Sequence, residues 1–478
     1  MAIEHWVETS LGNIVISKKG KKPKSTSSEP KENYVPYILI DELEGKAIRL
    51  YTNDSNIPRV NERDVLLVWD GSIGKCSSGL SGAIGSTLVG LTPIGNIPTK
   101  FLEYIIIQAN AFIKETSTGI GLQHINKHFF EIYKINLPPL AEQKRIVKKL
   151  DAILPKVKNS KARLDKIPRI LKRFRQSILL SAFSGDLTND WRDENVEIET
   201  GEELLNKIVN NRTKRKRTQI IDEQYINLNL PSTWAKTNID SISNEVIDCL
   251  HSTPKWATKG LICLRTTNFL QNKLNLSEKK YVSKSTFLKR ISRLKPERGD
   301  ILYSREGGIL GIACILDVDD DVCLGQRMML FRLNSKVSNR FICYFLNSPL
   351  INNHVNMLIG GSAAPHINVG DIKQFPVSLP PLEEQNEIVH RVEELFKLSD
   401  SLEAKYKKAM ERVGKIEQSI LAKAFCGELA KQDPNDEPAE ELLKRILAEK
   451  AKLESVKKKP KRSKRRSTKQ STPTAAGQ

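Results

Sequence analysis

Apolar residues keep a strict seven-residue rhythm in two separate stretches of the chain. Ile146, Leu150, Ile153, Val157, Ser160, Leu164, Ile167, Leu171, Phe174 and Ile178 follow one another at alternating steps of four and three, and so do Ile388, Val392, Leu395, Ser399, Leu402, Tyr406, Ala409, Val413, Ile416 and Ile420. Such spacing predicts two long helices that share a coiled-coil seam. Both stretches open on a near-identical phrase, Leu137-Pro138-Pro139-Leu140-Ala141-Glu142-Gln143 and Leu379-Pro380-Pro381-Leu382-Glu383-Glu384-Gln385. The 242-residue offset then holds without a gap to Gly185 and Gly427. Pro-Pro fits just before a helix, and a glycine at the far end suits a left-handed C-terminal cap. Pro155 and Pro168 occur only in the first copy, where they predict a kink or interruption. If the two helices run antiparallel, the seam matches Ile146 with Ile420, Leu150 with Ile416, Ile153 with Val413 and Phe174 with Val392, and sets Ser399 against Ile167.

Outside the helices the pattern changes to short apolar runs broken by glycine, such as Tyr37 to Ile40 and Asp64 to Trp69, which read as buried strands. Residues 261–346 have the same character with different letters. A few points do align: Asp64-Val65-Leu66-Leu67 and Gly71 with Asp300-Ile301-Leu302-Tyr303 and Gly307, and His124-Ile125-Asn126 with His366-Ile367-Asn368. Each half opens near a tryptophan, Trp6 or Trp234. The expected fold class is α+β: two globular α/β domains separated by two long helices that form an antiparallel coiled coil, with a pseudo-two-fold internal repeat. Expected boundaries are residues 1–136 and 229–378 for the globular domains, 137–188 and 379–430 for the helices, 189–228 for a charged linker with a short helix, 431–455 for a charged helix and 456–478 for a disordered basic tail.

Composition narrows the partners. A net charge of +20 over 478 residues points to a polyanion. Much of the excess is local, with five basic residues between Arg212 and Arg217 and eight between Lys457 and Arg466. The seven cysteines form no CxxC pair, which fits reduced thiols in a cytoplasmic protein better than a disulfide framework or zinc site. No apolar run approaches membrane-spanning length.

Motifs for chemistry are scarce. Gly71 to Cys76 lacks the glycine spacing and the Ser or Thr of a phosphate loop. His124 and His128 lack the glutamate of a zinc-protease helix. The Pro-Pro pairs are flanked by leucine, whereas an amino-methyltransferase site has Asp or Asn before and an aromatic after. The expectation is a chain without a catalytic or metal site of its own.

Two dissimilar globular regions, each opening at a tryptophan, with repeated helices that begin LPPLAEQ and LPPLEEQ, resemble the specificity subunits of type I DNA restriction-modification systems. The resemblance covers nearly the whole chain. It implies two target-recognition domains, each reading one half of a split site on double-stranded DNA, held apart by two conserved helices that dock two methyltransferase (modification) subunits. Adenine methylation with S-adenosylmethionine, and ATP- and Mg-dependent translocation and cleavage by restriction subunits, would then belong to the partners. Candidate DNA contacts are Lys18, Lys19, Lys21, Lys22 and Lys24 in the first domain and Arg305, Gln326 and Arg327 in the second, since Arg and Gln can each pair bidentately with a base edge. A non-catalytic RNA-binding scaffold is the alternative, although 6% aromatic residues offer little for base stacking. An enzyme with a hidden active site is the other rival.

Overall fold

A computed structural model describes residues 5–119, 121–210, 230–359 and 365–457. The basic run Arg212 to Arg217, the tail beyond Lys457 and the glycine-rich stretch 360–364 lie outside them. The chain divides into two compact units, one of residues 1–164 with 409–478 and one of residues 165–408.

In the first unit, four antiparallel strands lie in the order Val15–Lys19, Leu88–Pro93, Val65–Val68, Cys76–Ser78. Val65–Val68 is buried at every residue, which is why its sequence is continuously apolar rather than alternating. A second sheet runs Tyr51–Thr52, Val35–Ile38, Gly82–Ile84, Arg59–Val60, and contains one parallel pairing, Tyr37 with Ala83 and Ile38 with Ile84. A short ladder joins Val7–Ser10 to Lys134–Leu137.

The second unit repeats the first sheet, the short ladder and the parallel pairing, but its second sheet carries its extra strand on the opposite edge and a hairpin, Phe269–Leu270 with Lys273–Leu274, is added. Its first sheet runs Ser243–Asp248, Met328–Leu333, Ile301–Ser304, Ala313–Ile315. Its second runs Trp256–Ala257, Tyr281–Val282, Leu261–Leu264, Val322–Leu324, again with one parallel pair, here Ile262 to Leu264 with Val322 to Leu324. Ala235–Asn238 pairs with Pro376–Leu379 as Val7–Ser10 does with Lys134–Leu137. Glycines confirm the equivalence where the backbones nearly touch. A Cβ on Gly85 would meet the Ile38 carbonyl at 2.4 Å, and one on Gly325 would meet the Leu264 carbonyl at 2.3 Å.

The repeated helices begin and end as the sequence predicts. The second is unbroken, Leu382–Phe425. The first is Leu140–Leu164 and then Ile167–Ser184, with Pro155 inside its first part and Pro168 in the opening turn of its second. The interruption therefore belongs to Pro168, which suits a first turn, while the helix runs on through Pro155. Gly185 and Gly427 both close their helices at positive φ, +89° and +74°.

Within each unit the two helices run antiparallel. In the first, Arg145 donates to the Lys431 carbonyl at 3.2 Å and Lys149 to the Leu429 carbonyl at 2.6 Å. In the second, Arg175 reaches Ser399 at 3.0 Å and Arg391 reaches the Leu187 carbonyl at 2.9 Å. Ile146 shares a core with Ile420, as the antiparallel seam requires, whereas Ile388 belongs to the core of the second unit. The seam is apolar and closed where it meets a globular core, at Ile146, Leu150, Ile178, Ile388 and Val392. Farther along, Ile153, Val157, Phe174 and Val413 are only half-buried, because a two-helix seam has no third element to cover it. Ser399 finds a polar partner within the seam. It is fully buried and accepts from the Arg175 guanidinium.

The stretch expected as a charged linker proves to be partly core. Thr200 caps the helix Gly201–Asn210 reciprocally with Glu203, and Leu204, Leu205 and Ile208 are buried in the second unit. Ala439–Lys457 does the same in the first unit through Leu442 and Ile446.

Candidate nucleic-acid interface

The equivalent strand ends of the two units carry equivalent polar clusters. In the first unit Lys19 is the last residue of its strand and pairs with Val89 in the ladder. Its ammonium lies 2.8 Å from Asp70 and 5.5 Å from the centre of the Trp69 ring. The other Asp70 oxygen is 2.7 Å from His124 Nδ1. Partial burial works to raise the Asp70 pKa, but the hydrogen bonds from Lys19 and His124 outweigh it and hold the carboxyl below its ordinary range. Asp70 and His124 also form an isolated backbone bridge. Next to it, Gly71 at φ +89° donates to the Gln123 carbonyl at 2.9 Å.

In the second unit Asp248 ends the matching strand and pairs with Met329. Arg305 donates through Nε to Asp248 at 2.9 Å, through Nη1 to the Ile367 carbonyl at 3.2 Å, and pairs through Nη2 with Glu306 at 2.8 Å. His251 lies 3.0 Å from Asp248. Glu306 forms the isolated backbone bridge with His366, and Gly307 at φ +86° donates to the Pro365 carbonyl at 3.1 Å. The ladders thus place Lys19 where the other unit has Asp248, Trp69 where it has Arg305, Asp70 where it has Glu306, and His124 where it has His366. One scaffold carries two different sets of hydrogen-bonding groups.

The candidate residues of the first unit divide by exposure. Lys18 is half-buried, whereas Lys19, Lys21, Lys22 and Lys24 are exposed. The backbone beneath these lysines is fixed: Gly20 donates to the Leu88 carbonyl at 2.9 Å and Lys21 to that of Ile84 at 3.2 Å, while Tyr37 donates to the Lys21 carbonyl at 3.1 Å. A Cβ on Gly20 would stand 1.9 Å from the Gly85 carbonyl oxygen, so only glycine lets the loop leave the strand there. The ammonium groups are presented from a rigid base.

In the second unit the candidates differ in kind. Arg305 has a side chain only 6% exposed and engaged on every side, which makes it the anchor of the cluster and removes it from the surface. Gln326 is half-buried and accepts from Thr253 at 3.0 Å. Arg327 is exposed at φ +69°. Beside them runs the segment His251 to Gly260, in which His251, Lys255, Trp256 and Lys259 are exposed. Arg290 holds this segment from below, donating to the carbonyls of Leu324 at 3.1 Å and Gly325 at 2.8 Å and to that of Ser252. Sequence reasoning missed these four residues. The available signal was Pro254-Lys255, which follows its strand much as Pro23-Lys24 follows Val15–Lys19.

Among the described residues no group of His, Cys, Asp and Glu is arranged to hold a metal ion. Burial pushes the Cys76 thiol up to about 12. No helix of the described residues is long and apolar enough to cross a membrane.

Comparison with known proteins accounts for the repeat. Residues 3–169 and 252–412 match the model of the type I restriction modification DNA specificity domain. The specificity subunit of the type I restriction enzyme EcoDI of Escherichia coli is 31% identical over 458 residues, which cover 93% of this chain and 95% of that one. That of EcoKI, from the same species, is 32% identical over 353 residues, covering 71% of this chain and 68% of its own. The MjaVIII specificity subunit of Methanocaldococcus jannaschii is 26% identical, covering 90% of this chain and 95% of its own. A solved structure from work on complex assembly and conformational transition of the type I R-M system shares the fold, with a TM-score of 0.64 at 16% identity over 89% of this chain and 98% of that one. With two family domains, and with whole-length relatives of one kind, the chain belongs to the DNA specificity subunits of type I restriction-modification systems.

Proposed function

We propose that each globular domain reads one half of a bipartite, asymmetric site on duplex DNA, and that the chain presents this choice to two docked methyltransferase subunits and to the restriction subunits. Methyl transfer from S-adenosylmethionine and the ATP- and Mg-dependent steps reside in those partners, and this chain contributes binding and discrimination rather than catalysis. The supporting observation is the pair of equivalent clusters. The same strand ends carry Lys19, Trp69, Asp70 and His124 in one unit and Asp248, Arg305, Glu306 and His366 in the other. Equivalent strand ends with different polar groups are what two unlike half-sites require, because base edges are told apart by their donors and acceptors. The exposed Lys21, Lys22 and Lys24 of the first unit, and Lys255 and Lys259 of the second, suit phosphate contacts that fix register without choosing sequence. Arg305 serves as a positioning residue for Asp248 and Glu306, and Gln326 and Arg327 remain candidates for base or phosphate contact.

The test is exchange of one domain. Replacing residues 17–130 by the matching part of a relative, in a complex reconstituted with the modification subunits, should change one half of the methylated sequence and leave the other. A change in both halves would refute independent reading. Preference for RNA over duplex DNA in direct competition would favour the RNA-scaffold alternative.

A further inference from the structure

We propose that Asp70 and Glu306, which occupy the same place in the two recognition domains, each accept a hydrogen bond from the exocyclic amino group of a base in its own half-site. The inference rests on the bipartite reading given above and adds the chemical class of the group that is read.

The clusters differ at two of their four positions. Lysine is replaced by aspartate at the strand end, and tryptophan by arginine before the turn, yet the carboxylate and the histidine bridged to it persist. Closing the turn does not account for the carboxylates, because the backbone hydrogen bonds Gly71 to Gln123 and Gly307 to Pro365 already do so. Nor are the carboxylates buried for packing: their side chains are 20% and 27% exposed.

A bare carboxylate facing DNA would be repelled by phosphates. Each of these is already paired with a cation of its own domain, Asp70 with Lys19 at 2.8 Å and Glu306 with Arg305 at 2.8 Å, the latter shared with Asp248. Acceptor capacity is left over, since an ionised carboxylate has about four lone-pair sites. Asp70 uses one oxygen for Lys19 and the other for His124, and Glu306 meets Arg305 through Oε1. A group that can only accept discriminates sharply in the major groove. It is satisfied by the amino group of cytosine N4 or adenine N6, and it is repelled by the acceptors of guanine and thymine. At Asp70 the cation and the His124 ring fix its direction, and at Glu306 the Arg305 guanidinium does.

The experiment uses the chain reconstituted with its modification subunits. Genome-wide mapping of methylated sequences is compared for the native complex, Asp70→Asn and Glu306→Gln. An amide keeps the shape but adds a donor, so guanine or thymine becomes tolerable at the position read. Asp70→Asn should relax one base position in one half-site, with discrimination falling by about ten-fold or more, and Glu306→Gln should do the same in the other half only. Whether the position held adenine or cytosine identifies the amino group.

A second arm leaves the protein intact. Oligonucleotides in which one adenine is replaced by purine, or one cytosine by 2-pyrimidinone, lack a single amino group. At one position per half-site the native complex should lose about ten-fold in affinity, and the matching amide variant, whose neutral carbonyl accepts more weakly than a carboxylate, should lose less. If no amino deletion weakens the native complex more than the variant, or the methylated sequence is unaltered in both variants, the proposal is overturned. The exchange of residues 17–130 separates the two levels: an exchange that alters one half-site, together with inert carboxylate variants, defeats this inference and leaves bipartite reading standing.

Discussion

The indole of Trp234 donates to Oε2 of Glu384 at 2.8 Å, and Trp6 meets Glu142 in the same way at 2.9 Å. Both acids lie in the first turn after Pro-Pro, so each unit is locked to the start of its own spacer helix by a tryptophan from the beginning of its own half. The locks are not equal. Glu384 also accepts from Thr188 at 2.7 Å and pairs with Arg192. At the corresponding 242-residue offset the first unit has Ala430 and Pro434, neither of which has a side-chain donor, and Glu142 Oε1 is buried without a partner among the described residues.

That asymmetry predicts unequal costs. Glu384→Gln strands the Arg192 charge and should destabilise the second unit by roughly 3 kcal/mol. Glu142→Gln removes a carboxylate that was only half satisfied and should change stability by less than about 1 kcal/mol. Urea unfolding followed by tryptophan fluorescence measures both, and a larger loss for Glu142→Gln would contradict this account.

The same residue predicts a pH dependence. Burial raises the Glu142 pKa above the ordinary glutamate range, against the opposing pull of Trp6 and Arg145. Because the folded state holds this proton more tightly than the unfolded chain, its contribution is most favourable at low pH and declines as pH rises from the unfolded pKa through the folded one. The stability difference between Glu142→Gln and the native chain should therefore shift toward the variant as pH increases across that interval. A difference that stays constant with pH would show that the carboxyl is not perturbed.

Arg305 should behave as an anchor. Arg305→Ala leaves Asp248 and Glu306 without their cation and opens a polar cavity, for an expected loss of about 3–5 kcal/mol. Thermal unfolding would register it before any change in sequence preference. A stable Arg305→Ala protein with altered methylation specificity would instead make Arg305 a reader.

Lys21, Lys22 and Lys24 should act on phosphates. Their triple replacement by alanine should reduce the slope of log affinity against log salt by up to about 3, at roughly 0.9 for each lost contact. The methylated sequence should not change. Binding isotherms across a salt series, together with methylation mapping, decide the point.

Pro155 offers a gain. It sits exposed inside the helix Leu140–Leu164, where proline costs up to ~3 kcal/mol relative to alanine. Pro155→Ala should stabilise the first unit by about 1–2 kcal/mol, the rest being offset by greater freedom of the unfolded chain. Unfolding midpoints that fall rather than rise would mean the proline relieves strain elsewhere.

The antiparallel direction of the helices came from the resemblance to a family, whereas the sequence by itself determined the helices, their ends and the existence of two halves. Those features rest on local and periodic chemistry: the four-three apolar rhythm, Pro-Pro before a helix, and glycine after one. It also marked Asp64 to Gly71 and His124 to Asn126 as repeated, because turns at positive φ and strands buried throughout leave few residue choices. It did not show that Leu204, Leu205 and Ile208, or Leu442 and Ile446, complete the two cores, since a short amphipathic helix in charged surroundings reads the same whether docked or free. Only tertiary structure decided that Arg305 is buried, that Ser399 accepts from Arg175, and that Lys19 stands where the other domain has Asp248. These depend on which strands are neighbours and in what register, and pairing between residues far apart in sequence leaves no periodic trace along the chain.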